Sequence, residues 1–157
     1  MPVTGIENIN INTGQTIAVT GTITAGGTGT VSGNVGTVPT TSGGLLVSRI
    51  VSAATNNLTT AKASAGQVYG ISVQSIAGAA VAYLKLFNGS PTMGTTPCFD
   101  QWECPAAGSS QGAGFFMQWP NGIALSTGIY FALTGAISLT DNTAVAANSY
   151  NVSVYYF

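Results

Sequence analysis

The chain has 157 residues, which is enough for one domain with its own hydrophobic core. Only 4% of the residues are charged and the formal net charge is −1, so copies of the protein repel one another weakly, as suits a surface that neighbours cover. The cations are Arg49, Lys62 and Lys85, too few to neutralise several phosphates, which argues against direct binding of nucleic acid or of an acidic membrane surface.

Residues 1–44 are predicted to form an extended N-terminal arm. They hold no aromatic residue, and apolar side chains alternate with Asn or Thr in the period of two that is typical of a strand. The residues that we interpret as candidate assembly contacts are Ile9, Ile11, Ile17, Val19, Ile23 and Val31. Because the arm cannot bury a core of its own, we expect it to pair with strands of neighbouring copies. A flexible Gly- and Thr-rich linker is the alternative.

Residues 45–157 are predicted to form the folded domain. Apolar and polar residues alternate, without helical periodicity, in short segments that we predict to be strands, at 45–51, 58–63, 67–76, 80–87, 115–119, 128–139 and 150–157. Residues 78–79 are predicted to make a hairpin connection, residues 88–91 and 119–122 to form turns, and residues 92–112 to form a loop-rich section. This pattern indicates an all-β fold, an antiparallel β-sandwich that is either jelly-roll-like or immunoglobulin-like.

No segment is predicted to span a membrane. The mean hydropathy is +0.37, but Gly, Thr and Asn interrupt the uncharged stretches, and none approaches the roughly 18 to 20 apolar residues of a spanning helix. Residues 1–5 lack the basic and apolar regions of a secretory signal. We therefore expect the protein to be made and assembled in a cytoplasm.

Side chains for catalysis are scarce in this sequence. There is no histidine, and the carboxylates are Glu7, Asp100, Glu103 and Asp141. Acid–base and nucleophilic catalysis need a proton acceptor with a tuned pKa, so triads that depend on histidine are excluded. Asp100 and Glu103 point to opposite faces of an extended chain, which does not suit a glycosidase pair. We predict no catalytic residue, no cofactor and no metal site.

Two pairs of side chains and one acid are the remaining candidate sites. Trp102 and Trp119 either line a shallow carbohydrate site or anchor loops against the sandwich or a neighbouring copy. Cys98 and Cys104 form either a loop-closing disulfide or two free thiols. Asp141 follows an apolar segment and precedes Asn-Thr, a context that predicts an Asx turn rather than a calcium site.

Several stretches of the domain together resemble a known family. They are NLTTAKASAGQVYGI at 57–71, AYLKLFN at 82–88, PTMGTTP at 91–97, FMQWPNGIALSTG at 116–128 and TDNTAVAANSYNVSVY at 140–155. Over residues 55–157 the chain resembles a family of small virion proteins of tailed bacteriophages. The resemblance implies a β-sandwich displayed on the virion, often preceded by a Thr-, Val- and Gly-rich arm. The segment 98–104, with its two cysteines, departs from the family pattern.

The resemblance implies a structural role but does not choose between head and tail. We predict a head decoration (cement) protein, a homotrimer that contacts the major capsid protein and is located in the virion after assembly in the host cytoplasm. The alternatives are a tail, baseplate or head-fibre component, and a carbohydrate-binding adhesion module on the virion surface.

Overall fold

A computed structural model describes residues 44–109 and 112–157. The predicted arm contacts Ile9, Ile11, Ile17, Val19, Ile23 and Val31 lie outside these residues. The described strands are β1 (Leu46–Val51), β2 (Thr59–Lys62), β3 (Gly66–Ser75), β4 (Ala82–Asn88), β5 (Asp100–Cys104), β6 (Gly114–Leu125), β7 (Ile129–Thr134) and β8 (Tyr150–Tyr156). Over the described ranges we find no helix of the length and apolarity that crossing a bilayer requires.

The strands form two antiparallel four-stranded sheets. Sheet A has the order β1-β8-β3-β6, and sheet B has the order β2-β7-β4-β5. The first strand pairs with the last, the second with the seventh, the third with the sixth and the fourth with the fifth. Ladders between β3 and β8 and between β4 and β7 join these pairs. The predicted antiparallel β-sandwich is confirmed, and this nested pairing is that of a jelly roll rather than an immunoglobulin domain.

The core lies between the sheets and is built from alternate residues of each strand, because successive side chains of a strand point to opposite faces. Ile71 and Val73 of β3 face Leu84 and Leu86 of β4, and all four are buried. Strict alternation along the predicted strand 67–76 would place Tyr69 on this face together with Ile71 and Val73, and that expectation is wrong. In the ladder with β8, Val68 pairs with Tyr156 and Gly70 with Tyr155, so the residue between them is an unpaired extra one and Val68 enters the core instead.

Two predicted turns have other roles. Residues 78–79 do not make a hairpin, because β3 and β4 belong to different sheets and β3 is already paired with β6 and β8. Residues 119–122, predicted as a turn, form a large bulge inside β6. Gln118 pairs with Gly70 and Ile123 with Val68, so these four residues of β6 lie opposite the single residue Tyr69 of β3. Pro120 is tolerated there because β6 is an edge strand, where one side of the backbone needs no donor.

The section predicted as loop over residues 92–112 contains a strand. Residues Asp100–Cys104 form β5, which pairs with β4 at the edge of sheet B. Its sequence, DQWEC, is poor in β-branched residues, so the strand depends on its partner rather than on intrinsic propensity. The predicted strand 128–139 ends earlier than expected, at Thr134.

The outer faces of the two sheets differ. Over sheet B, Phe87 and Ala132 are buried together with Cys98 from the loop that follows β4. A second loop, between β7 and β8, reaches the same face, where the Cys98 amide donates to the Leu139 carbonyl at 3.0 Å. On sheet A the outward-facing side chains of the edge strands, such as Phe116, remain exposed.

Candidate functional site

Cys98 and Cys104 are free thiols in the structure. Cys104 lies in the core between the sheets, whereas Cys98 lies in the cluster on the outer face of sheet B, so the sheet separates them. Burial raises the pKa of Cys104 to about 12 and also raises the pKa of Cys98. Since the thiolate is the reactive form, both sulfurs are held in their unreactive state.

The described acids do not converge on a reaction centre. Asp100 and Glu103 are both exposed and lie on β5, three residues apart. Within residues 44–109 and 112–157 no group of three or more His, Cys, Asp or Glu side chains could hold a metal ion.

Asp141 orders the loop between β7 and β8. Its carboxylate accepts hydrogen bonds from the Ala136 amide at 2.9 Å, the Thr143 hydroxyl at 2.8 Å and the Thr143 amide at 3.2 Å. The bond to the amide two residues ahead is the Asx turn that the sequence predicted. Partial burial acts to raise the pKa of Asp141, but the hydrogen bonds together outweigh it, and the pKa is lowered. The carboxylate therefore has a structural role.

The sequence indicated no structural role for Lys85, which is a single charged residue between Leu84 and Leu86. Its side chain is 0% exposed on the outer side of sheet B. The ammonium donates to the Gln101 side-chain oxygen at 2.8 Å and to the Ser138 carbonyl at 2.6 Å. Burial lowers the pKa of Lys85 because it disfavours the charged form. This lysine ties β4, β5 and the loop before β8 together, and no feature of the local sequence indicated that role.

The structure brings Trp102 and Trp119 together. Trp102 lies on β5 and Trp119 on β6, the edge strands of the two sheets, and the ring centroids are 5.5 Å apart with the planes tilted by 47°. Both rings are half-buried and pack against the main core. The pair closes this side of the sandwich, as an anchor would, and its tilted rings do not form one flat platform for a sugar.

The edge of sheet A formed by β1 (Leu46–Val51), here called the β1 edge, is the most apolar exposed strand. Leu46, Val47 and Val51 are 56%, 51% and 51% exposed. The Ser52 amide donates to the Tyr150 carbonyl of the neighbouring strand end at 2.8 Å. Since bonded and non-bonded pairs alternate along an antiparallel ladder, the backbone groups of Val47, Arg49 and Val51 point away from β8. They form a row of donors and acceptors along an edge that no other described strand covers.

The outer face of sheet A continues from this edge as a nearly neutral surface. Phe116 and Tyr155 contact each other edge to face, with ring centroids 6.0 Å apart. A shallow groove of ≈ 650 Å³ lies beside them, lined in part by Gln74, Gly114 and Asn151. Its described lining carries no charged side chain, so it offers hydrogen bonds and apolar contact rather than a charged ligand site.

Comparisons of the chain with protein-family models, with curated proteins and with solved structures found no significant match. In the described domain, the ionisable groups Lys85, Cys98, Cys104 and Asp141 are buried or held in structural hydrogen bonds. The features of the described domain that are open to a partner include the β1 edge and the outer face of sheet A, and also the exposed Phe99, Ile137 and Leu139 of the loops over sheet B.

Proposed function

We propose that the chain is a structural protein of a bacteriophage virion, a capsid decoration (cement) protein that stabilises the head by bridging capsomers. It acts as a homo-oligomer, a trimer, whose partners are further copies and the major capsid protein. It performs no catalysis and binds neither nucleic acid nor membrane. The observation that carries this proposal is the β1 edge, an apolar strand that has a partner on one side only among the described strands and adjoins a nearly uncharged sheet face.

The chemistry of this surface supports a role in assembly. Natural proteins usually protect sheet edges with charge, proline or bulges, because an unpaired strand recruits other strands. Large exposed apolar side chains that lie next to one another mark interaction surfaces. Val47 and Val51 lie on one face of β1 and Leu46 on the other, all three are exposed along this edge, and Arg49 is the only charge on the strand. A partner strand that covers this edge would prevent it from recruiting unrelated strands.

A cement protein needs no chemistry of its own. A molecule that binds the assembled lattice, and binds separate capsomers less well, stabilises the lattice by mass action. Linking several weak contacts within one oligomer raises the overall affinity without any new contact. Jelly rolls occur in viral capsid and lectin domains, and the sequence resembles tailed-phage virion proteins, but a fold by itself does not select a function.

The proposal is tested on the virion that carries the chain. We expect a reconstruction of the particle to show density for the jelly roll on the head, above the junctions between capsomers. Particles that lack the chain should release their genome at a lower temperature, and adding the purified protein should restore the original temperature. Density on the tail, baseplate or a fibre would replace this proposal by the corresponding alternative.

A carbohydrate-binding module is a second candidate, favoured by the 5.5 Å separation of the Trp102 and Trp119 rings. A sugar that stacks on either ring would change the tryptophan fluorescence, since these are the only two tryptophans of the chain. We expect no saturable change on titration with oligosaccharides, because both rings are half-buried against the core. A saturable change that is lost in Trp102→Phe would favour the adhesion module.

A further inference from the structure

The edge strands of the two sheets are unequally protected. In sheet B, β2 is short, carries a bulge between Thr60 and Lys62 and ends on that lysine. At the other edge of sheet B, β5 carries Asp100 and Glu103. In sheet A, β6 holds Pro120 and the large bulge. Charge, proline and bulges are the devices that prevent another strand from adding to a sheet.

The remaining edge, β1, has a regular register with β8, holds no proline and carries Arg49 as its single charge. The backbone groups of Val47, Arg49 and Val51 point outward along it, as the bonding of Ser52 to Tyr150 requires. An added strand could form hydrogen bonds with all three residues. Among the described edges, β1 is therefore the one built to accept a strand.

The sequence outside the described residues contains a segment that matches this edge. Glu7 is the single charged side chain among residues 1–43, and Ile9 and Ile11 follow it with the alternation of a strand. Arg49, exposed on β1, has Val47 and Leu45 at the same spacing in the opposite direction. In an antiparallel pairing Glu7 would lie opposite Arg49, and the two isoleucines would lie opposite Val47 and Leu45.

We propose that the β1 edge accepts residues 7–11 of the N-terminal arm of a second copy, as an added antiparallel strand with Glu7 facing Arg49. This inference deepens the proposed function, because it rests on an arm that interlocks neighbouring copies. Main-chain hydrogen bonds would supply the affinity, and the ion pair together with the two apolar pairs would set the register.

A charge exchange tests the register in the full-length protein. Glu7→Lys and Arg49→Glu each place like charges opposite one another, so each should weaken self-association by about fivefold. The double variant Glu7→Lys/Arg49→Glu restores an opposite-charge pair and should recover the original association constant, measured by analytical ultracentrifugation. Two single variants that leave association unchanged, or a double variant that does not recover it, would overturn the pairing.

Cross-linking between copies tests the donor and the direction of the strand. One tagged copy carries Val47→Cys and a differently tagged copy carries Ile9→Cys, and a short bis-maleimide is added to the mixture. We expect a covalent dimer that contains both tags. The matched control Val51→Cys with Ile9→Cys should react poorly, because in the antiparallel register those residues are roughly 13 Å apart along the strand. The wild-type chain controls for the native thiols, which are both buried.

The outcomes of the cross-linking decide the direction of the added strand and the copy that donates it. Reaction of Val51→Cys in preference to Val47→Cys would overturn the antiparallel register, and the absence of a dimer that contains both tags would overturn donation by a second copy. The capsid role is judged separately. Val47→Lys should block strand addition. A Val47→Lys variant that still occupies the particle would overturn the β1 edge as the acceptor but would not contradict the cement role. Cross-linked oligomers that never bind the particle would overturn the cement role but would not contradict the strand pairing.

Discussion

The outer faces of the two sheets show two ways of completing a sandwich. Sheet B is finished by its own chain: two loops cover it, and Lys85 joins β5, through Gln101, to one of these loops through the Ser138 carbonyl. Sheet A has exposed apolar residues on its outer face and at the β1 edge. A domain whose own loops cover the outer face of one sheet, while the outer face of the other sheet stays exposed, can present a defined binding surface without exposing its core. Stability should therefore depend on the loops over sheet B, and association on sheet A.

The largest expected effect is at Lys85. Lys85→Ala removes a buried side chain and leaves the Gln101 and Ser138 oxygens without their donor, so the free energy of unfolding should fall by about 3 kcal/mol. The matched control on sheet A is Arg49→Ala, an exposed cation, which should change it by less than about 0.5 kcal/mol. Denaturant unfolding of both variants at low concentration provides the comparison. Equal effects at the two positions would remove the distinction between the faces.

The next effect concerns the core between the sheets at alkaline pH. Burial raises the pKa of Cys104 from 9.0 to about 12 and that of Tyr150 from 10.0 to about 12. The folded state keeps these protons while the unfolded state loses them, so stability should fall as the pH rises above 9. The slope approaches 1.4 kcal/mol per pH unit for each group.

Cys104→Ala tests this assignment. The variant creates a small cavity and should be less stable at neutral pH, but it should lose less stability than the wild type between pH 8 and pH 11. The lowered pKa of Lys85 acts in the opposite direction, since its unfolded state binds the additional proton. If the two proteins lose stability in parallel as the pH rises, the titrating group lies elsewhere.

How much of this fold could be predicted from sequence depends on whether an element is determined by residues next to it in the chain or by partner strands far away in the chain. Alternation within one segment is a local property, and it predicted β1, β4 and β8 closely. The bulge opposite Tyr69, the passage of β6 through Pro120 and the existence of β5 depend on partner strands that are distant in sequence. No local pattern contains that information.

The candidate sites show the same division. Alternation can place Trp102 and Trp119 on the inward sides of their strands, but their contact exists because β5 and β6 are edges on the same side of the sandwich. Lys85 could not be identified beforehand, because its partners Gln101 and Ser138 come from β5 and from the loop after β7. The Asx turn at Asp141 was predictable because all its partners lie within five residues.

A smaller effect is expected at that turn over sheet B. Asp141→Asn replaces one acceptor oxygen by a donor that faces the Ala136 amide and the Thr143 hydroxyl, which should lower the free energy of unfolding by about 1 kcal/mol at pH 7. The pKa of Asp141 is lowered in the folded state, so this contribution should be lost from the wild type as the pH falls below 3.8. Asp100→Asn, at an exposed acid, is the control and should have little effect. A larger loss in the control would contradict the role of the turn.

The smallest effect is expected between pH 5 and pH 8. The chain has no histidine, and the α-amino group is the only one whose unperturbed pKa lies in this window. The melting temperature should therefore stay within about 2 °C over the range, which corresponds to roughly 0.5 kcal/mol. The pKa of Lys85 is lowered by burial, so its titration would give the opposite sign: a melting temperature that rises with pH in the wild type and not in Lys85→Ala would assign a titration in this window to Lys85, because the unfolded state would bind the additional proton. A melting temperature that instead falls as the pH rises toward 8 would reveal a further group that keeps its proton in the fold and loses it on unfolding within this window, since both thiols have an ordinary pKa of 9.0, above it.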